Sequence, residues 1–144
     1  MANISPRGSE RFQEVADHAP VMLWRITADF RCDWVNRAWL DFTGERLEDQ
    51  VGFAWLDRLH PDDAERTAEQ FDLAFSARAA IEVEFRLRRH DGVYRWFLDS
   101  GVPIFRDGTF AGFVGSCVDV TRRRLLEQRL ADSEALLSKR FQPR

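Results

Sequence analysis

Strict alternation of apolar and charged side chains over residues 81–88 is the feature that most constrains the fold of this chain. Ile, Val, Phe and Leu stand at every second position, with Glu or Arg between them. A repeat of two is that of a β-strand with one face in the core and one toward water. Asp91-Gly92 and Asp107-Gly108 are hairpin turns, and strand-like sequences follow at 93–105 and 110–119. The pattern predicts a meander of three long antiparallel strands.

The sequence before the meander predicts a second hairpin and several helices. Residues 21–27 and 31–36 are rich in Val, Ile and Trp, which favours two paired strands. Asn36 is the predicted cap of a short helix that Gly44 closes. His60-Pro61-Asp62-Asp63 is typical of a helix start, because Pro suits the first helical position and Asp the positive end of the helix dipole. These elements predict an α+β fold with one five-stranded antiparallel sheet and helices on one face.

Three regions follow from these patterns: a flexible N-terminus (1–8), a domain (9–121) and a C-terminal helix with a tail (122–144). Ser9 is the predicted cap of a short helix that opens the domain. Residues 122–140 lack Gly and Pro, which favours one long helix. Its heptad seam, spaced four, three and four residues apart, consists of Leu126, Leu130, Ser133 and Leu137. The seam either pairs with a second chain or packs back on its own domain.

Charge and composition exclude several classes of protein. The net charge is −3, from 21 basic and 24 acidic residues, which argues against a nucleic-acid-binding module. No apolar run approaches the ~20 residues that span a bilayer, and the N-terminus has no apolar stretch of signal-peptide length. We therefore expect a cytoplasmic protein, with no membrane span in this segment. Two cysteines, Cys32 and Cys117, make neither a disulfide framework nor a zinc site.

Catalytic chemistry has no support in the sequence. His18, His60 and His90 share no short spacing, so they form no metal or acid-base cluster. Asp62 and Asp63 are adjacent, so their side chains diverge, and the helix dipole accounts for both. There is no glycine-rich phosphate loop. We expect that the chain is not an enzyme.

The order of elements resembles that of the PAS sensory domain: hairpin, short helices, longer helix, three-stranded meander and C-terminal helix. Local sequences over about residues 9–121 resemble the same family. They are Trp34-Val35-Asn36-Arg37-Ala38-Trp39, Phe42-Thr43-Gly44, Leu59-His60-Pro61-Asp62-Asp63, Glu84-Phe85-Arg86, Asp91-Gly92, Arg95-Trp96 and Gly112 through Asp119-Val120-Thr121.

The resemblance implies a sensory or regulatory module. PAS domains are commonly input modules of histidine kinases, cyclic-dinucleotide enzymes and transcription regulators, and they often dimerise. They bind a small molecule between sheet and helices, or bind nothing and only assemble, and the signal leaves through the C-terminal helix. The resemblance therefore implies an output domain in a parent protein.

The resemblance also bears on cofactors, whose identity the sequence leaves unknown. Light-sensing flavin members carry a reactive cysteine in the stretch that corresponds to residues 52–56, where this chain has none. Haem-binding members hold iron with a histidine inside the long helix, and residues 62–77 contain none. We expect neither covalent flavin nor haem, and a structural role for His60 at the helix start.

Alternation, hairpin pairing and the PAS pattern together predict which residues face the core. The predicted inward set, and candidate ligand-binding set, is Val83, Phe85, Leu87, Phe97, Asp99, Gly101, Phe113, Gly115 and Cys117. Gly101 and Gly115 are small and are expected to leave space against the sheet. Asp99 needs a partner among apolar side chains. It either anchors a ligand, or pairs with an Arg or a backbone N–H, or lies at a wet rim.

The opposite sheet face predicts an interface. Trp96, Leu98, Val114 and Val118 are too apolar to face water together. We expect helix 9–17 and a second subunit to cover them, and Leu126, Leu130 and Leu137 to extend the dimer contact. The alternative is that the N-terminal helix alone covers this face.

Three functions remain open at this point. The first is a sensor or regulator that controls an output domain through residues 120–140, with Asp119 and Thr121 capping the helix at the signal junction. The second is a ligand-free dimerisation module, and the third a small α+β enzyme. Whether Phe85, Phe97 and Phe113 fill the centre of the core or line a cavity distinguishes the first two.

Overall fold

The five strands of this protein form one antiparallel sheet in the order β2-β1-β5-β4-β3. The computed structural model describes residues 13–50, 52 and 54–140. The strands are β1 (Met22–Ile26), β2 (Cys32–Val35), β3 (Ile81–Arg88), β4 (Tyr94–Arg106) and β5 (Thr109–Asp119). The predicted α+β fold, with an initial hairpin and a three-stranded meander, is confirmed.

The helices lie before β1, between β2 and β3, and after β5. They are α1, described over 13–18, α2 (Arg37–Thr43), α3 (Pro61–Ala77) and α4 (Thr121–Arg140), with two 3-10 turns at Leu47–Gln50 and Ala54–Arg58. The predicted flexible segment 1–8, the predicted cap Ser9 and the tail 141–144 lie outside the described residues. In the part of the chain that the structure describes, no helix has the length and apolar character needed to cross a membrane.

Local capping explains where the middle helices begin and end. The Asn36 side chain accepts the Trp39 N–H at 3.4 Å and donates to the Ala16 carbonyl at 2.8 Å, so it caps α2 and also holds the end of α1. Gly44 ends α2 with φ of 70°, a left-handed conformation that glycine adopts without strain. His60 Nδ1 accepts the Asp62 N–H at 3.1 Å. Both predicted caps, and the structural role of His60, are confirmed.

The core lies between the sheet and helices α2 and α3. In β3 every second residue is buried, namely Ile81, Val83, Phe85 and Leu87, as alternation predicts. Phe71 packs on them from α3. Each fully buried side chain of this size contributes about 1.5–3 kcal/mol to folding.

The two cysteines are buried and free. Cys32 lies in β2 and Cys117 in β5, and β1 runs between these strands. Two strand spacings of about 4.8 Å exceed the reach of a disulfide. The strand order therefore places these two thiols too far apart to bridge each other.

Helix α4 leaves the domain after its first turn. All residues from 125 to 140 are exposed, including Leu126, Leu130 and Leu137, whose exposed fractions are 52%, 61% and 49%. The alternative that the heptad seam packs back on its own domain is wrong. The helix begins at Thr121, one residue earlier than the predicted boundary.

Candidate functional site

The sheet register brings the predicted inward residues into adjacent rows. Val83, Asp99 and Cys117 lie side by side across β3, β4 and β5, with Phe85 beside Phe97 in the next row. The remaining members of the set, Leu87, Gly101, Phe113 and Gly115, lie on the same face.

The space expected beside the two glycines is filled by Trp24. Trp24 is opposite Gly115 in the β1–β5 pairing, and its indole lies along the inner face over both glycines. A Cβ at Gly115 would lie 2.2 Å from the Trp24 ring, and one at Gly101 would lie 2.6 Å from it. The expectation of an open space is wrong, because the two glycines accommodate a large ring from a neighbouring strand.

Trp24 is also the partner of Asp99. Its Nε1 donates to Asp99 Oδ1 at 2.8 Å, and Asp99 is only 3% exposed. The partner is thus neither an Arg nor a backbone N–H, and the carboxyl group does not lie at a wet rim. Burial raises the pKa of Asp99 to about 7, although hydrogen bonds with Trp24 and Cys117 act in the opposite direction. Near neutral pH this carboxyl group is therefore close to its titration midpoint.

Cys117 completes this polar group in the core. Burial, and next to it the Asp99 carboxyl, raise the pKa of the Cys117 thiol well above its ordinary value. The thiol is therefore protonated at neutral pH and is not a thiolate nucleophile.

A small cavity lies beside Asp99, between β1, β2 and the helices. Its volume is about 20 Å³. That is room for about one water molecule, whereas pockets for drug-sized ligands span about 300–1,000 Å³. Asp99 is the member of the predicted set that lines it. The other lining residues are Trp24, Ile26, Cys32, Val35, Trp39, Gln50, Trp55 and Phe71.

The central phenylalanines fill the core. Phe97 packs edge-on against Phe42 with ring centroids 5.0 Å apart, and Phe113 lies 4.7 Å from Phe75. Phe85 is fully buried, with its ring centroid 6.2 Å from that of Trp55.

Sequence reasoning missed most of the cavity wall. Trp39 Nε1 donates to Gln50 Oε1 at 2.8 Å, and Gln50 in turn donates to Glu45, which pairs with Arg58. One sequence signal could have identified part of this wall. In β1 the alternate residues Met22, Trp24 and Ile26 are apolar, and these are the residues that face the core.

On the outer sheet face, Trp96 is covered by two guanidinium groups. Arg124 of α4 lies 3.6 Å from the ring centroid and Arg86 of β3 lies 4.8 Å from it. Glu84 pairs with Arg123 and Arg124. The first turn of α4, which the sequence did not predict to lie here, therefore covers part of this face. Elsewhere on this face Leu98 and Val114 are half-buried and Val118 is 42% exposed.

The strand-to-helix junction (residues 119–121) is fixed to β4. Asp119 Oδ1 accepts the Thr121 N–H at 2.9 Å, and Oδ2 accepts Arg95 Nε at 2.8 Å. Thr121 differs from expectation, because its hydroxyl accepts the Trp96 N–H at 2.8 Å instead of an N–H of α4. Val120 N–H donates to the Trp96 carbonyl at 2.8 Å. Asp119 thus caps α4, whereas Thr121 attaches it to the sheet.

A comparison with protein-family models decides the family. The model described as the PAS fold matches residues 33–117, more than half of the chain. The chain belongs to the PAS fold family. The predicted membership of the PAS family is thereby confirmed.

Relatives of this PAS domain are much longer proteins. The uncharacterised protein y4lL of Sinorhizobium fredii (strain NBRC 101917 / NGR234) is 43% identical over 119 residues, 82% of this chain and 14% of y4lL. The peroxide stress-activated histidine kinase mak1 of Schizosaccharomyces pombe (strain 972 / ATCC 24843) is 32% identical over 127 residues, 85% of this chain and 8% of mak1. The chain thus spans a small part of these relatives.

A solved structure shares the fold of this PAS domain. It is a sensory box histidine kinase/response regulator from Burkholderia thailandensis E264. The TM-score is 0.68 at 24% identity, and the match covers 90% of this chain and 98% of that chain.

Proposed function

We propose that this PAS domain is a cytoplasmic, non-catalytic regulatory module of a larger signal-transduction protein, such as a histidine kinase. It dimerises and passes a signal to an output domain through α4. Similarity to a segment of the histidine kinase mak1 supports this class of parent protein.

The observation that carries the proposal is the strand-to-helix junction. One residue, Val120, separates β5 from α4, and no Gly or Pro offers a free hinge. Asp119 and Thr121 hold the start of α4 to Arg95 and Trp96 of β4. Displacement of β5 relative to β4 therefore reorients the helix instead of being absorbed by a loop.

The core is mechanically close to this junction. Cys117 lies on the inner face next to Asp99 and two residues before Asp119. A change in protonation, packing or contents beside Asp99 therefore acts on the strand that leads into α4. The proposal therefore includes the predicted ligand-binding role of the inward-facing residues, because a ligand beside Asp99 would act on the same strand.

The outer sheet face supports the dimer. A groove on this face is lined partly by Leu23, Trp34, Ile104 and Val114. Val118 and the leucines of α4 add exposed apolar surface. Covering these groups with a second copy removes them from water, which is the main favourable term in association.

The dense core favours a second candidate, a dimerisation module without a ligand. Phe85, Phe97 and Phe113 occupy the centre, and the cavity of about 20 Å³ admits little beyond a water molecule.

The junction provides the test of the regulatory role. In a full-length parent, the double variant Asp119→Ala, Thr121→Val removes the cap and the hydroxyl that accepts the Trp96 N–H. We expect a loss of about 1–2 kcal/mol in the stability of the domain. Output activity, such as autophosphorylation, should change while the domain stays folded by circular dichroism.

Asp33→Ala is the matched control, since Asp33 is also an exposed carboxylate paired with an arginine, Arg25, but lies on β2 away from the junction. Normally regulated output from the junction double variant would reduce the junction to a passive connector and contradict the proposal.

A further inference from the structure

Asp99 places an ionisable carboxyl group in the core without a cation beside it. Only 3% of the residue is exposed. Trp24 Nε1 donates to Oδ1 at 2.8 Å, and Cys117 lies next to Asp99 across the β4–β5 register. The described residues that line the adjoining cavity include no arginine, lysine or histidine. A carboxylate in such surroundings is costly, so burial favours the neutral acid.

The elements packed against Asp99 present two other titratable groups, and both are thiols. Cys117 comes from β5, and Cys32 of β2 lines the cavity. Burial raises the pKa of each thiol above its ordinary value, so both stay protonated at neutral pH. The side chains that face Asp99 from the remaining elements are uncharged, among them Trp24 of β1, Val83 of β3, Trp39 of α2, Gln50 and Trp55 of the 3-10 turns, and Phe71 of α3. Asp99 is therefore the member of this cluster that can exchange a proton near neutral pH.

The cavity beside Asp99 has the room and the polar groups that an ionised carboxyl group needs. Its volume of about 20 Å³ admits about one water molecule. Gln50 lines the same cavity, accepts from Trp39 Nε1 and donates to Glu45, which in turn pairs with Arg58. A side-chain amide has two N–H donors and an oxygen with two lone pairs, so Gln50 retains one donor and one acceptor site. Asp99 and Gln50 can thus hold a water molecule together.

The two protonation states of Asp99 make different demands on the sheet. The neutral acid is compatible with dry packing against Trp24 and Cys117. The carboxylate needs donors that apolar neighbours cannot supply, which favours entry of a water molecule and a displacement of the strands around it. Trp24 and Cys117 belong to β1 and β5, which pair with each other, so both strands respond to the charge.

We propose that Asp99 is the proton-binding site of a pH-sensing core, protonated in one state of the domain and ionised and hydrated in the other. The inference rests on the proposed regulatory function and names the proton as the ligand of that core. On ionisation the O–H bond of the acid breaks, the carboxylate keeps the electron pair, and solvent water takes the proton. Burial raises the pKa of Asp99 to about 7, so this exchange falls near neutral pH.

Carbon-13 NMR of the full chain tests the proton site directly. The side-chain carboxyl signal of Asp99, assigned by its loss in Asp99→Asn, should titrate with a midpoint near pH 7, whereas exposed aspartates titrate near about pH 4. The Trp24 indole N–H signal should move with the same midpoint, because this group donates to the carboxyl group. An Asp99 signal that stays constant between about pH 5 and 9 would overturn the inference.

Two substitutions at Cys117 distinguish proton binding from a purely structural role. Cys117→Ser supplies a stronger donor to the carboxylate and should lower the midpoint, whereas Cys117→Ala removes the donor and should raise it. We expect the two midpoints to differ by roughly one pH unit. The two variants are matched in size and keep the Asp99 carboxyl group, so this test does not depend on the folding of Asp99→Asn. Equal midpoints in the two variants would contradict the proposal.

The output of a full-length parent shows whether the proton regulates it. Wild-type autophosphorylation should change between about pH 6 and 8. Asp99→Asn is neutral like the protonated acid, so its output should stay at the low-pH level of the wild type across this range. The control Asp33→Asn, at an exposed carboxylate, should follow the wild type. Identical pH profiles of wild type and Asp99→Asn would overturn the sensing role.

The junction variant separates this inference from the proposed function. A carboxyl group that does not titrate, combined with altered output from the double variant Asp119→Ala, Thr121→Val, overturns the proton site and leaves the proposed function intact. Titration of Asp99 combined with normally regulated output from that double variant overturns the proposed function and, with it, the regulatory use of the proton.

Discussion

Asp99 is buried beside Cys117, and the indole N–H of Trp24 is its hydrogen-bond donor. Alternation, hairpin pairing and the PAS pattern together predict that this carboxyl group points inward. The identity of its donor was not predictable in the same way. Trp24 is 75 residues away in sequence, and only the β1–β5 pairing brings the two together.

Titration of Asp99 predicts a pH-dependent stability. The carboxyl pKa is about 7 in the folded domain and about 3.9 in an unfolded chain, so the folded state binds this proton more tightly. The stabilisation is complete below about pH 4 and is lost as the pH rises through 7. Asp99→Asn keeps an oxygen acceptor for Trp24, but its amide has no proton that titrates in this pH range. Between about pH 4 and 8 the free energy of unfolding should fall by up to roughly 4 kcal/mol more in the wild type than in the variant.

Urea unfolding at a series of pH values measures this difference. Asp33→Asn, the same substitution at an exposed carboxylate on β2, is the control for replacing a carboxyl group by an amide. Parallel profiles for wild type and Asp99→Asn would contradict the assigned titration.

Gly101 and Trp24 form a complementary pair that predicts a conditional mutation. Gly101→Ala would place a Cβ 2.6 Å from the Trp24 ring, so it should destabilise the domain by about 1–3 kcal/mol. In a Trp24→Leu background the same change should cost much less. Gly115→Ala is the control that is not rescued, because its Cβ would also lie 2.5 Å from the Ser100 carbonyl oxygen. Equal costs of Gly101→Ala in the two backgrounds would contradict this packing.

At the scale of elements, the sequence specifies helices and strands more completely than the contacts between them. Asp63 was explained by the dipole of α3 alone. Its carboxylate also accepts Arg86 Nε at 2.9 Å and Nη2 at 2.8 Å, and Arg86 then stacks on Trp96. Burial opposes ionisation of Asp63, but the bonds from Arg86 outweigh it and lower the pKa of this carboxyl group. Asp63 and Arg86 thus connect helix α3 and strand β3 to Trp96, whose ring is also contacted by Arg124 of α4.

Helices α3 and α4 both contact β3, which is an edge strand. β3 is at one edge of the sheet, where unpaired backbone groups invite association with other chains. Arg66 of α3 donates to the Glu84 carbonyl at 3.0 Å, and Arg123 of α4 binds the Glu84 side chain. The helix that carries the proposed signal therefore contacts both β4, through Trp96, and the edge strand β3, through Glu84.

For the whole molecule, the predictable and unpredictable parts divide by the range of the interactions. Strand alternation, Asp-Gly turns and helix caps are local, and they predict the five-stranded sheet, whereas the prediction of its inner face also used the PAS pattern. Whether the core is open or filled depends on rings that arrive from distant segments. Trp24 closes the space beside the glycines, and Phe75 packs on Phe113 across about forty residues.

A filled core, together with the proposed dimer, makes a prediction about the purified protein. Native mass spectrometry should give twice the polypeptide mass with no bound small molecule, and the absorption spectrum should show only the aromatic bands. Trp55→Ala removes a ring from the cavity wall and is the positive control. It should cost about 2–4 kcal/mol and bind benzene or indole in a calorimeter, whereas the wild type should not. A small molecule that copurifies with the wild type would contradict the filled core. It would also favour a sensor that opens around its ligand over a module that only assembles, with the same junction at Asp119 and Thr121 carrying the signal.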